Sequence, residues 1–174
     1  MTRLIGSAVL LVLCLAGMAT AAESTPWEFG LRGGKDAQYV NESFAAGEIY
    51  LLRNLPWQAE TAAGRLLARL DLGVGLLDAA GDQGNWLAAG ADLVWLPGDG
   101  TIEIEAGFRP AWLTDHYYGE DNFGGDTQFS SHVGIAANLS PFVVNYRYQH
   151  LSNAGIYDNN DGIELHLLGA GFRF

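Results

Sequence analysis

From Thr101 to Trp112 the chain alternates with a period of two. The even positions are Ile102, Ile104, Ala106, Phe108, Pro110 and Trp112, and the odd ones include Thr101, Glu103, Glu105 and Arg109. Successive side chains of a strand point to opposite faces, so this segment has one apolar and one charged face. The pattern recurs. Phe142, Val144, Tyr146 and Tyr148 alternate with Val143, Asn145, Arg147 and Gln149. Trp27, Phe29 and Leu31 are set against Glu28, Gly30 and Arg32. Leu66 to Val74, Leu87 to Trp95 and Phe129 to Ala137 repeat it, and residues 44–53 do so less cleanly. The expected strands are 26–34, 43–53, 64–76, 85–96, 101–113, 127–138, 142–150 and 163–174.

A soluble antiparallel sheet also alternates, with its apolar face inward. Two features favour the reverse orientation. The polar face carries both charge signs, at Glu28, Arg32, Arg69, Asp71, Asp92, Glu103, Glu105, Arg109 and Arg147, which suits a narrow lumen where opposite charges pair. The apolar face carries aromatics near strand ends, at Trp27, Trp95, Trp112, Tyr148 and Phe174, as an interfacial girdle does. No segment after the first offers the 18 or so uninterrupted apolar residues of a spanning helix. Lipid otherwise admits only closed barrels, because unpaired backbone groups find no water there. The expectation is all-β: an eight-stranded antiparallel transmembrane β-barrel of the outer-membrane type.

The connections agree. Leu96-Pro97-Gly98-Asp99-Gly100 and Asn138-Leu139-Ser140-Pro141 are tight turns, whereas Leu113 to Asp126 and Leu151 to Gly162 are longer and rich in Gly, Asp and Asn. With both termini in the periplasm, the long loops lie outside. Residues 54–63 are the exception, a long connection where a short turn is expected. Eight strands leave a lumen that side chains fill, so a channel is not expected.

The first residues read as a secretory signal. Arg3 supplies positive charge, Leu4 to Met18 is apolar, and Ala19-Thr20-Ala21 fits the cleavage pattern. This places a signal peptide at 1–22 and the barrel at 23–174. The chain's single cysteine, Cys14, leaves with the signal, so the mature protein has no thiol chemistry. The formal charge of −11 argues against nucleic acid as a partner.

Parity then singles out three residues. His150 and Ser152 continue the outward set after Tyr146 and Tyr148, and Glu164 opens the outward set of the last strand. Polar groups on a wall that should be apolar call for a function. Ser, His and a carboxylate supply a nucleophile, its base and the group that orients the base. Placement at the lipid headgroup level is the bland alternative. There is no G-x-S-x-G elbow, so an α/β-hydrolase is not indicated.

The run His150-Leu151-Ser152-Asn153-Ala154-Gly155, followed by Asn159-Asn160-Asp161-Gly162-Ile163-Glu164, resembles the signature of the lipid A 3-O-deacylase family (PagL type). The resemblance implies an outer-membrane ester hydrolase that removes the 3-hydroxyacyl chain from the 3-position of lipid A. It implies His150 as general base, Ser152 as nucleophile and Glu164 as orienter, and it suggests Asn160 for the oxyanion hole. Asn153 and the Gly155 N–H are near enough in sequence to serve there too, although Asn and Gly also favour tight loops. Lipopolysaccharide and other outer-membrane lipids are the expected partners. No cofactor or metal is expected, and a homodimer is left open.

The remaining histidines have plainer readings. His132 falls on the lumen face. His166 lies one outward position below Glu164, as a lipid-interface residue or one lending charge to the site. His116, with Asp115, Glu120 and Asp121, reads as a solvated loop rather than a metal centre. The competing functions are a non-enzymatic structural or adhesin-like barrel and an outer-membrane phospholipase or acyltransferase.

Overall fold

The computed structural model describes residues 27–37 and 41–174; the expected signal peptide lies outside the described residues. Among the described residues ten strands form: β1 (Trp27–Asp36), β2 (Ala45–Thr61), β3 (Gly64–Ala79), β4 (Asp82–Pro97), β5 (Ile102–Leu113), β6 (Tyr117–Tyr118), β7 (Asp121–Asn122), β8 (Thr127–Leu139), β9 (Phe142–Ser152) and β10 (Ile163–Arg173). Eight close into a barrel in the order β1-β10-β9-β8-β5-β4-β3-β2, and β6 and β7 pair separately within a long loop. Every barrel pairing is antiparallel. No helix among the described residues is long and apolar enough to cross a membrane.

The faces follow the parity of the sequence. Outward positions include Leu31, Ile49, Val74, Leu87, Phe108, Val133 and Leu168, all well exposed on the isolated chain. Such a wall is stable only against an apolar medium. One row of paired residues runs Ile102–Ala137–Val144–Ala170–Leu31–Ile49–Val74–Leu87–Trp112. Every member points outward. The row leaves β5 at Ile102 and returns to it at Trp112, ten residues further along. The strands are therefore tilted, and rows climb towards the long-loop end on passing from β9 through β10 to β1.

Side chains occupy the lumen in an apolar plug near the loop end, a network of ions below it, and a small apolar cluster of Leu67, Val94 and Leu96 towards the turn end. Near the loop end an apolar plug gathers Phe44, Leu77, Trp86, Leu113, Tyr118, Phe123, Leu151 and Ile163. Phe44, Tyr118 and Phe123 meet edge to face, with centroids 5.5–5.8 Å apart. Burial pushes the Tyr118 phenol up to about 12, aided by Asp115 and Asp82, so it stays neutral in the plug. Below lies a network of ions. Arg109 reaches Glu48 at 2.6 Å and Asp71 at 3.0 Å. Arg147 reaches Asp71 at 2.8 Å and Glu105 at 2.7 Å. Arg32 pairs with Glu48, Arg69 with Glu103, and Arg173 with Glu28 and Glu103. Each charge of this network has an opposite neighbour, without which its desolvation would be prohibitive.

Two sequence expectations are corrected. Residues 54–63 are not a loop: β2 continues to Thr61, and the turn is Ala62–Ala63. The register of β2 against β3 shifts between Asn54 and Gln58. Pro56 lies in that interval and cannot donate to a ladder, so the bulge breaks the alternation that would have revealed the strand. The β3–β4 connection is likewise shorter than expected. Both strands run on to a turn at Ala80 and Gly81, where φ is 57° and 91°. This double positive φ suits a tight antiparallel hairpin.

Candidate active site

The last two barrel strands position the three polar residues by simple geometry. β9 ends at Ser152 and β10 begins at Ile163. Glu164 pairs directly with His150 across the two strands. Both point outward, and facing side chains of an antiparallel pair have β-carbons about 5 Å apart. His150 Nδ1 lies 3.1 Å from Glu164 Oε1. The other ring nitrogen, Nε2, lies 2.9 Å from Ser152 Oγ. The imidazole thus stands between carboxylate and hydroxyl, half exposed, with 42% of the His150 side chain and 28% of the Glu164 side chain accessible.

This arrangement can move a proton. A carboxylate at Nδ1 favours the tautomer with hydrogen on Nδ1, which leaves Nε2 as an acceptor facing the hydroxyl. The serine oxygen can then lose its proton as it attacks an acyl carbon.

The wall beside the three residues is apolar except at close range. On the β8 side Phe129 pairs with Ser152 and Ser131 with His150. Phe129 stacks on Phe108 of β5, with centroids 5.7 Å apart and planes 16° from parallel. Down the wall come Tyr148 and Tyr146. His166 lies opposite Tyr148, and its Nδ1 is 2.6 Å from the Tyr146 hydroxyl.

The loop 153–162 separates the three oxyanion candidates. The Asn153 side chain is fully buried and works as a brace. Its Nδ2 donates to Phe123 O at 2.8 Å and to Asn159 O at 2.6 Å, while its Oδ1 accepts the Gly155 N–H at 2.7 Å. The structure therefore commits both the Asn153 amide and the Gly155 N–H to holding the loop. Asn160 differs: it is exposed, and its Oδ1 accepts the Asn153 N–H at 2.9 Å. The amino half of its side chain has no partner among the described residues.

Gly162 escaped the sequence reading. A β-carbon on it would lie 2.9 Å from Ser152 Cβ and 3.3 Å from His150 Cε1. In sequence it looks like an ordinary turn glycine, and only the closed loop shows what it faces. The β6–β7 hairpin, equally unforeseen, holds the loop from the other side: Asn122 N–H donates to Asp161 Oδ2 at 2.9 Å and Asp161 N–H to Asn122 O at 3.1 Å.

The other histidines lie apart from this site. His132 is buried in the lumen with Nε2 3.1 Å from Asp92 Oδ1, and with Asp71 forms a compact group of metal-capable atoms. Arg147 already lies 2.8 Å from Asp71 there, a cation occupying the place a metal would need. His116 Nδ1 lies 3.1 Å from Asp126 in the outer loop.

Comparison with known proteins follows the same line. The family described as "Lipid A 3-O-deacylase (PagL)" matches residues 27–173. The lipid A deacylase PagL of Bordetella bronchiseptica is 31% identical over 81 residues, covering 46% of this chain. That match spans 45% of the relative, somewhat under half its length. Among solved structures, the outer membrane enzyme PagL superposes with a TM-score of 0.74 at 24% identity, covering 83% of this chain and 98% of that one. The outer membrane protein Ail of Yersinia pestis gives a TM-score of 0.50 at 12% identity, covering 86% and 99%, a likeness of fold alone.

Proposed function

The chain belongs to the lipid A 3-O-deacylase (PagL) family, and from that premise we propose that it is an outer-membrane serine esterase acting on lipid A. The observation that carries this reading is the outward relay of Ser152 Oγ, 2.9 Å from His150 Nε2, and His150 Nδ1, 3.1 Å from Glu164 Oε1.

The bond broken is the ester between a 3-hydroxyacyl chain and the 3-position of lipid A. Ser152 Oγ attacks the acyl carbon while His150 Nε2 takes its proton. Glu164 holds the ring and stabilises the imidazolium that forms. The amino group of Asn160 is the donor for the oxyanion, since Asn153 and Gly155 are engaged elsewhere. His150 then returns the proton to the departing sugar oxygen, leaving an acyl-serine. A water, deprotonated by the same imidazole, cleaves that ester and releases the 3-hydroxy fatty acid.

The wall location suits such a substrate. A membrane lipid can approach laterally with its acyl chain against Tyr148 and Tyr146, without entering the plugged lumen. Catalysis needs no cofactor on this scheme.

The test is mass spectrometry of lipid A from cells expressing the protein. Loss of one hydroxyacyl chain, abolished by Ser152→Ala in a normally assembled barrel, supports the reading. An unchanged lipid A profile favours a structural or adhesin-like barrel, and altered phospholipids favour a phospholipase or acyltransferase.

A further inference from the structure

Lys35 is an unusual residue in this barrel. It is the only lysine of the chain, and it stands exposed on the outward wall near the loop end of β1. The other basic side chains of the described residues are placed differently. Arg32, Arg69, Arg109, Arg147 and Arg173 are ion-paired in the lumen. Arg53, over the Trp27 ring, and Arg65 lie towards the turn end. Lys35 forms no ion pair with any described residue. An unpaired cation on a lipid-facing wall calls for a functional explanation.

Its position supplies one. Lys35 pairs with His166 of β10, which in turn pairs with Tyr148 of β9. In register these residues are one outward step below the Glu164–His150 pair. The rows climb, however, by ten residues over the eight strands of the circuit. Two strands of climb offset one step of descent. Lys35 and His166 are therefore level with His150 to within about one residue's rise, ~3.3 Å. They extend the site sideways along the membrane plane rather than deeper into the bilayer.

The chemistry matches an anion. His166 Nδ1 is taken up by the Tyr146 hydroxyl at 2.6 Å; in the tautomer where that hydroxyl donates, Nε2 carries the ring hydrogen and can donate to an anion. The lysine ammonium sits on a flexible stem that can rise to the headgroup level. The loops above are acidic, with Glu42, Asp82, Asp115, Glu120 and Asp158 exposed or partly so, and they repel an anionic headgroup. Among the lysine and arginine side chains of the described residues, only Lys35 stands on the outward wall at this end, and it lies beside the proposed triad.

We propose that Lys35, assisted by His166, is the docking point for a phosphate group of the lipid substrate, and that this contact sets which ester reaches Ser152. The proposal rests on the reading of the site as a lipid A esterase.

Binding is measured on the purified Ser152→Ala barrel in micelles, which reports affinity without turnover. The probes are lipid A carrying its phosphates and the same lipid after dephosphorylation. Adding Lys35→Gln is expected to raise Kd for the phosphorylated lipid about tenfold, the scale of one charge-assisted hydrogen bond. Lys35→Arg should restore most of the affinity, and the dephosphorylated lipid should not distinguish the variants. Equal affinity of the parent and Lys35→Gln for the phosphorylated lipid overturns the proposal. So does an equal loss on both lipids, which makes Lys35 a general wall residue. If the native barrel hydrolyses nothing, the esterase reading fails, while the binding comparison still decides the role of Lys35.

Discussion

Gly162 stands so close to Ser152 that a β-carbon on it would come within 2.9 Å of the serine's own Cβ. The start of β10 and the end of β9 are thereby held together, and the serine's rotamer depends on a missing side chain. Gly162→Ala should push Ser152 Oγ away from His150 and lower kcat about a hundredfold, the scale of an ångström's misplacement. Circular dichroism of the refolded barrel should stay unchanged. A variant with native kcat would show that the loop gives way without disturbing the serine.

Glu164→Gln keeps the size of the side chain but removes its charge. The imidazole loses its preferred tautomer and the stabilisation of its protonated form. Deacylation should fall roughly a thousandfold or more, with KM little changed. Single-turnover release of hydroxy fatty acid measures this directly, and a loss under tenfold would take Glu164 out of the relay.

Asn160 and Asn153 should fail in different ways. Asn160→Ala removes the proposed oxyanion donor and should lower kcat by about a hundredfold. Asn153→Ala instead strips three hydrogen bonds from the loop interior. It should destabilise that loop by about 1–3 kcal/mol for each buried partner left unsatisfied. Limited proteolysis within residues 153–162 should then accelerate for Asn153→Ala and not for Asn160→Ala.

Arg147→Met leaves Asp71 and Glu105 in the lumen without their nearest cation. Breaking a buried pair on one side costs about 3–5 kcal/mol. The urea midpoint of the refolded barrel should drop accordingly. Arg53→Met, on the outward wall near the turn end, should change it little.

Much of this was legible in the chain. Parity assigned Glu103, Glu105 and Arg109 to the lumen and Phe108 and Trp112 to the wall, and the structure agrees. The same counting placed Ser152, His150 and Glu164 outward together. It worked because a strand's facing depends only on the next few residues. It failed where local rules break: at Pro56, whose bulge hid the second half of β2, and at Ala80–Gly81, where a two-residue turn replaced an expected loop.

What the sequence determined by itself, then, was which side of the wall each residue faces, since a period of two needs no knowledge of the neighbouring strand. Only the tertiary structure decided level and proximity. The climb of the rows sets Lys35 and His166 beside His150 although Lys35 is far away in the chain. The folded loop brings Gly162 against Ser152 and turns Asn153 inward. Those relations come from closing eight tilted strands into a ring, a condition imposed by all of them at once and written in no single segment.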